Sequence, residues 1–184
     1  MATIDTLVGQ LGGHKGFAPA NRFEVEISNI ISRADADLLN YTCESVTLPG
    51  RNHASGEYTN NHVTKTFFYS HIDDDITLSF RLTNSLRLYE LMYNWMQEHV
   101  DTSSYKLGWK SEYSKEIRLY TMDQTNSATG KWTLNKSYIK TLSPVEMSNS
   151  SENTIATFTV TIGFDTFDFN SIRVDTRGMG SAFI

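Results

Sequence analysis

The sequence predicts a mainly β protein: an antiparallel two-sheet β-barrel or sandwich with one flanking α-helix. Three observations carry this. Apolar and polar residues alternate cleanly over Arg22–Ser28, Ile76–Thr83 and Ala156–Phe164, which is the period of half-buried strands. A helical period occurs in only one place, about Ser85 to His99. Many of the expected strands follow one another through short connections, which antiparallel pairing allows and parallel crossovers do not.

From the N-terminus, residues 1–20 read as an arm, because Gly12, Gly13, Gly16 and Pro19 interrupt any regular element. Phe23, Val25 and Ile27 then point one way, and Glu24, Glu26 and Ser28 the other. Residues 30–40 are polar and mixed, and read as a loop or short helical turn. Tyr41–Leu48 is an expected strand closed by Pro49-Gly50. Residues 50–62, rich in Gly, Asn and Ser, read as a long loop or flexible hairpin tip. Strands resume over Val63–Tyr69, and Asp73-Asp74-Asp75 turns the chain into the strand that begins at Ile76.

Leu86, Tyr89, Tyr93 and Met96 recur at three- and four-residue spacing, widened by Leu88, Met92 and Trp95. Asn84 or Ser85 is the expected cap of this helix. Lys115–Met122 reads as a strand, Asp123–Gly130 as a turn, and Lys131–Leu134 as the hairpin partner. Ala156, Phe158, Val160, Ile162 and Phe164 form the longest alternating run. Residues 168–184, with Gly178 and Gly180, read as a second arm. The expected division is an arm at 1–20, a β domain at 21–167 and an extension at 168–184.

The 184 residues suffice for one domain with its own core. A net charge of -5 argues against tight phosphate binding. A single cysteine excludes an internal disulfide, and no apolar run is long enough to span a bilayer as a helix. These features suit a soluble protein made in a reducing cytoplasm.

No phosphate-binding loop, dinucleotide fingerprint, zinc-protease helix or serine-hydrolase elbow is present, and no cofactor is expected. Asp73-Asp74-Asp75 lacks the alternate spacing and distal Glu of a calcium loop, so a solvated turn is the better reading. His53, His62 and His71 are too dispersed for a convincing metal site. Cys43, among apolar neighbours, reads as a small hydrophobe rather than a nucleophile. Glu24 and Glu26 share a strand face, but no second polar signature surrounds them as a glycosidase would require. What remains is two arms and a mid-chain loop with no core of their own. Such segments stay disordered or order against neighbouring subunits.

Several segments together resemble the tail tube proteins of T-even-type contractile bacteriophages. They are Asn21–Ser28, Cys43–Gly50 with its Leu-Pro-Gly turn, Asp74–Phe80 followed by the helix to Trp95, Lys115–Asp123 with Trp132, and Asn153–Asp165. The resemblance spans about Phe17 to Phe167 in the family's order. It implies a non-catalytic structural protein whose six-membered rings stack into a hollow tube. A sheath would surround that tube, a baseplate initiator and a tail terminator would bound it, and DNA would pass along its lumen without specific binding. The related ring protein of a type VI secretion system and a tube-like baseplate initiator are the neighbouring readings.

Within that frame, Arg51, Asn52, His53, Tyr58, Asn60 and Asn61 are the expected inter-ring contacts. Glu24, Glu26 and Asp165 are the expected acidic residues of the polar face or lumen. The helix is expected to lay its apolar stripe on the barrel and turn its polar side to the sheath.

Overall fold

The computed structural model describes residues 17–29, 32–60, 62–100, 102, 104–148 and 154–172. The two expected arms lie mostly outside these residues: only 17–20 of the first and 168–172 of the second are described.

Nine strands and three helices follow one another in the described chain. They are β1 (Phe23–Ile27), α1 (Arg33–Thr42), β2 (Cys43–Val46), β3 (Arg51–Asn60), β4 (Val63–Asp73), β5 (Ile76–Arg81), α2 (Arg87–Gln97), α3 (Lys110–Tyr113), β6 (Lys115–Met122), β7 (Ala128–Leu142), β8 (Thr157–Gly163) and β9 (Thr166–Ser171). Seven strands form one sheet in the order β1-β6-β7-β8-β5-β2, with β9 also paired to β7; β3 and β4 form a separate two-stranded sheet. The mainly β, antiparallel class is as expected.

The chain falls into two compact units. The larger comprises residues 27–117 and 134–167. Its centre is the β5–β8 ladder, in register from Ile76 opposite Ile162 to Arg81 opposite Thr157. One face of the ladder is Ile76, Leu78, Phe80, Phe158, Val160 and Ile162, all buried. Phe80 and Phe158 are direct partners and stack at 5.4 Å. Tyr89 of α2 meets Phe158 edge-on at 5.4 Å, and α2 buries Leu88, Met92 and Trp95. Burying three such side chains contributes about 1.5–3 kcal/mol each, which is what holds an 11-residue helix too short to persist alone.

The smaller unit comprises, of the described residues, 17–26, 118–133 and 168–172. Val25 and Leu119 are buried in it. Its turn is fixed by Asp123, whose Oδ1 accepts from the backbone N–H of Thr125 at 2.7 Å and of Ser127 at 3.0 Å. The Arg22 guanidinium clamps the same turn through the Gln124 carbonyl at 2.9 Å and Asn126 Oδ1 at 2.7 Å. Trp132 packs on Phe169 with ring centroids 4.6 Å apart.

Four local expectations change. Residues 33–42 form a full helix, capped by Ser32, whose hydroxyl oxygen accepts from the Asp35 N–H at 3.4 Å. Only Leu39 and Thr42 of that helix are buried, so its apolar period is faint. The second helix is capped by neither Asn84 nor Ser85. The chain enters it through a turn closed by the Leu86 N–H on the Thr83 carbonyl at 2.9 Å, which leaves Leu86 at φ 52. Strand β7 runs well past Leu134, because Lys136 at φ 53 breaks the alternation without ending the strand. Residues 51–60, expected as a long loop or flexible hairpin tip, form strand β3, one side of an ordered hairpin with β4. Their own side chains show no period, and most of the apolar residues of the face they share come from β4.

Candidate assembly surfaces

The β3–β4 hairpin pairs Arg51 opposite Asp73 through to Asn60 opposite Val63, with a register shift between Ala54 and Ser55. At ~3.4 Å per residue it is some 33 Å long. Directly paired residues share a face, so the register sorts the hairpin into two sides. One side holds Arg51, Asp73, His53, His71, Glu57, Thr59, Thr64 and Thr66, with Phe68 as its large apolar residue. Contacts agree with this sorting: His53 meets Phe68 edge-on at 5.8 Å, and the Thr59 and Thr64 hydroxyls lie 3.1 Å apart. The other side holds Ile72, Ala54, Phe67, Tyr58, Lys65 and Val63. Tyr69, at the register shift, leans towards Phe67 with ring centroids 6.3 Å apart. The Phe67 ring lies across Gly56, where an added Cβ would come within 2.8 Å of it.

This hairpin is therefore amphipathic, yet its apolar side faces water. Tyr58 is 57% exposed, Phe67 50%, Tyr69 68% and Ile72 61%. A two-stranded ribbon is marginal on its own, and so large an apolar patch marks a contact surface. The root is firmly held. Arg51 makes a two-pronged pair with Asp73 at 2.7 and 3.0 Å, and its guanidinium lies 4.6 Å from the Phe167 ring. That pairing holds the Asp73 carboxyl below the usual carboxylate range. Asn52 binds the Asp74 carboxylate at 3.1 and 3.2 Å.

Of the six expected contact residues, Arg51 and His53 lie on the polar side of the hairpin. Asn52, Tyr58 and Asn60 are at positions of the apolar side. Asn61 lies outside the described residues. Sequence reasoning missed Phe67, Tyr69 and Ile72. The signal was available in Val63, Lys65, Phe67 and Tyr69, a strand period with no counterpart in the core.

A second surface is the solvent side of the β5–β8 ladder. Thr77 pairs with Thr161, and Ser79 with Thr159. Ser45 of β2 continues the second row, and Thr141 of β7 the first. The side is a field of hydroxyls, with Arg81 bonded to Glu44 at 3.1 Å. Cys43, on β2, has its thiol pushed up to about 12 by burial, so it is a packed hydrophobe with little thiolate.

The three expected acidic residues have different surroundings. Glu26 accepts from Arg118 at 3.4 Å and from the Tyr120 hydroxyl at 3.3 Å. Asp165 is ion-paired with Lys110. Glu24 is exposed on β1. Among the described residues, no group of three or more His, Cys, Asp or Glu could hold a metal ion.

Residues 18–170 match the family model described as phage tail tube protein. The chain belongs to that family. A phage tail tube protein is a structural component, not an enzyme. Solved structures share the fold at low identity. The sheath-tube complex of an extracellular contractile injection system (PVC, extended state) contains a chain with a TM-score of 0.63 and 15% identity. The match covers 89% of this chain and 97% of that one. The tube-terminating cap of the anti-feeding prophage gives 0.62 and 17%, over 84% and 91%. Hcp1 from Salmonella typhimurium gives 0.52 and 12%, over 82% and 85%. No curated protein matches the chain in sequence.

Proposed function

We propose that this tail tube protein is the repeating subunit of the inner tube of a contractile phage tail. Six copies form a ring, and rings stack into the conduit through which DNA enters the host. A sheath protein surrounds the tube, and a baseplate initiator and a tail terminator bound it. The subunit is made in the host cytoplasm and resides in the virion.

The observation that carries this reading is the hairpin: an ordered, amphipathic ribbon whose apolar side has nothing to cover it in the single chain. A second copy is the partner a tube subunit meets most often. The hydroxyl side of β5 and β8 suits a conduit wall, since it offers no large apolar surface for a moving polymer to adhere to. Arg81 on this side is paired with Glu44. With the chain's net charge of -5, such a wall does not hold phosphates. We assign the lumen to this side, and the ring-to-ring contacts to the hairpin.

The shared fold of the anti-feeding prophage baseplate chain, at a TM-score of 0.61 and 10% identity, supports a second reading, a component present as a single ring. Negative-stain electron microscopy of the concentrated protein separates the two. Stacked hollow tubes are expected for the bulk subunit. Isolated rings would indicate the single-ring component. Tube assembly that survives deletion of residues 51–61 would remove the hairpin from the account.

A further inference from the structure

The apolar side of the hairpin needs a seat, and the chain carries a surface that matches it. Helix α2 is apolar around more of its circumference than the core covers. Leu88, Met92 and Trp95 are buried, while Tyr93 and Met96 on the neighbouring flank are exposed. Val100, exposed just past the end of the helix at Gln97, forms an antiparallel bridge with Leu107. The chain returns tightly there. The Gly108 N–H donates to the His99 carbonyl at 3.0 Å, and a Cβ on Gly108 would stand 2.3 Å from the Glu98 carbonyl oxygen. Only glycine permits this approach, and it sets Leu107 beside Val100. Leu107 is 79% exposed and Trp109, two residues on, 75%.

We propose that Tyr93, Met96, Val100, Leu107 and Trp109 form the seat for the apolar side of the β3–β4 hairpin of a second copy. The proposal rests on the self-assembly reading above and goes further by naming both halves of the contact. The sizes agree. Aromatic side chains bury about 150–250 Å² each, so half- to two-thirds-exposed Tyr58, Phe67 and Tyr69 with Ile72 and Val63 offer on the order of 500 Å². With backbone and rim this approaches the roughly 800 Å² per partner of a standard stable interface. The chemistry agrees as well: aromatic rings meet aromatic rings and the polarisable sulfur of Met96. Lys65 is the charged residue on the hairpin's apolar side, and Glu112 is exposed on α3 just beyond Trp109. Ribbon and seat are different surfaces, so the contact is head-to-tail, the type that closes into rings or propagates as stacks.

The test uses full-length protein with Cys43→Ser and the pair Tyr69→Cys and Leu107→Cys, treated after assembly with a short bismaleimide. A ladder of covalent multimers is expected, with the crosslinked peptides containing positions 69 and 107 of different copies. A control replaces Leu107→Cys by Ile155→Cys. Ile155 lines an open groove of about 1000 Å³ with Pro144, Met147 and Ala156, the alternative apolar seat. Tubes or rings that form but crosslink through position 155 and not 107 overturn the seat while leaving self-assembly standing. Protein that assembles at no concentration overturns both. In a second variant, Trp109→Ser should leave the circular dichroism spectrum unchanged and raise the concentration needed for assembly at least tenfold. An unchanged threshold would count against the seat.

Discussion

Position 163 shows how one missing side chain arranges several others. A Cβ there would meet Lys140 Cε at 2.7 Å and the Tyr138 ring at 3.1 Å. Both side chains cross the end of β8 over this glycine. Lys140 reaches Asp75 at 2.7 Å, and Tyr138 carries the Lys110 ammonium 5.3 Å from its ring. Lys140 is a flexible, exposed partner in a pair worth about 0–1 kcal/mol, so Gly163→Ala should cost less than ~1 kcal/mol. Gly163→Val should cost about 1–3 kcal/mol, because the Tyr138 ring has to move too. Urea unfolding of both variants checks this ordering.

His99 gives a pH prediction. Its ring lies 4.4 Å from the Tyr113 ring and 6.2 Å from that of Tyr138, and its Nε2 is buried with no hydrogen-bond partner among the described residues. Burial pushes the imidazole below its ordinary value of 6.5, and Lys115 adds to this against an opposing pull from Glu98. The folded state thus prefers neutral His99. Its contribution is complete above pH 6.5 and declines as pH falls, until the folded imidazole protonates as well. Thermal melts of wild type and His99→Phe should diverge in their pH slope below 6.5. Parallel slopes would contradict this.

At the scale of elements, α2 is held by its buried stripe. Met92→Asp places a carboxylate among fully buried neighbours and should abolish the folded monomer, read as loss of a cooperative melt. The hairpin behaves oppositely. Phe67→Ser, Tyr69→Ser and Ile72→Ser together act on exposed side chains, so the melt should shift little and assembly should fail. Arg51→Ala removes the two-pronged bond to Asp73 and the stacking on Phe167, and should speed amide exchange along β3 and β4 while sparing β5 and β8.

Elements with a strong period, β5, α2, β6 and β8, were legible in the sequence because each buries one side in the chain's own core. Helix α1 was not, since it buries only two residues. Strand β3 was not, because its side chains gain a pattern only when paired with β4. Of the proposed contact surface, the sequence marked one strand and missed the other. The 51–61 region pointed to the hairpin. The apolar side that makes the hairpin useful lies mostly on β4, and appears only once the register is known. Asp165 and Glu26, expected as acidic residues of the polar face or lumen, are paired with Lys110 and Arg118, 55 and 92 residues away along the chain.

At the scale of the whole molecule, the family match over residues 18–170 covers nearly all of the described chain. The fold recurs in chains of the anti-feeding prophage cap and baseplate and of the sheath-tube complex of an extracellular contractile injection system. On the self-assembly proposed above, a subunit that leaves an ordered apolar ribbon uncovered gains further stability when a second copy covers it.

In the proposed tube, the uncovered hairpin joins copies and the hydroxyl side of β5 and β8 forms the wall. Cryo-electron microscopy of the assembled protein at side-chain detail tests it most directly. Phe67, Tyr69 and Ile72 should be buried against another copy, with Thr77, Ser79, Thr159 and Thr161 facing the lumen. A tube in which that hairpin face stays in solvent, or in which those hydroxyls point towards the sheath, would contradict it.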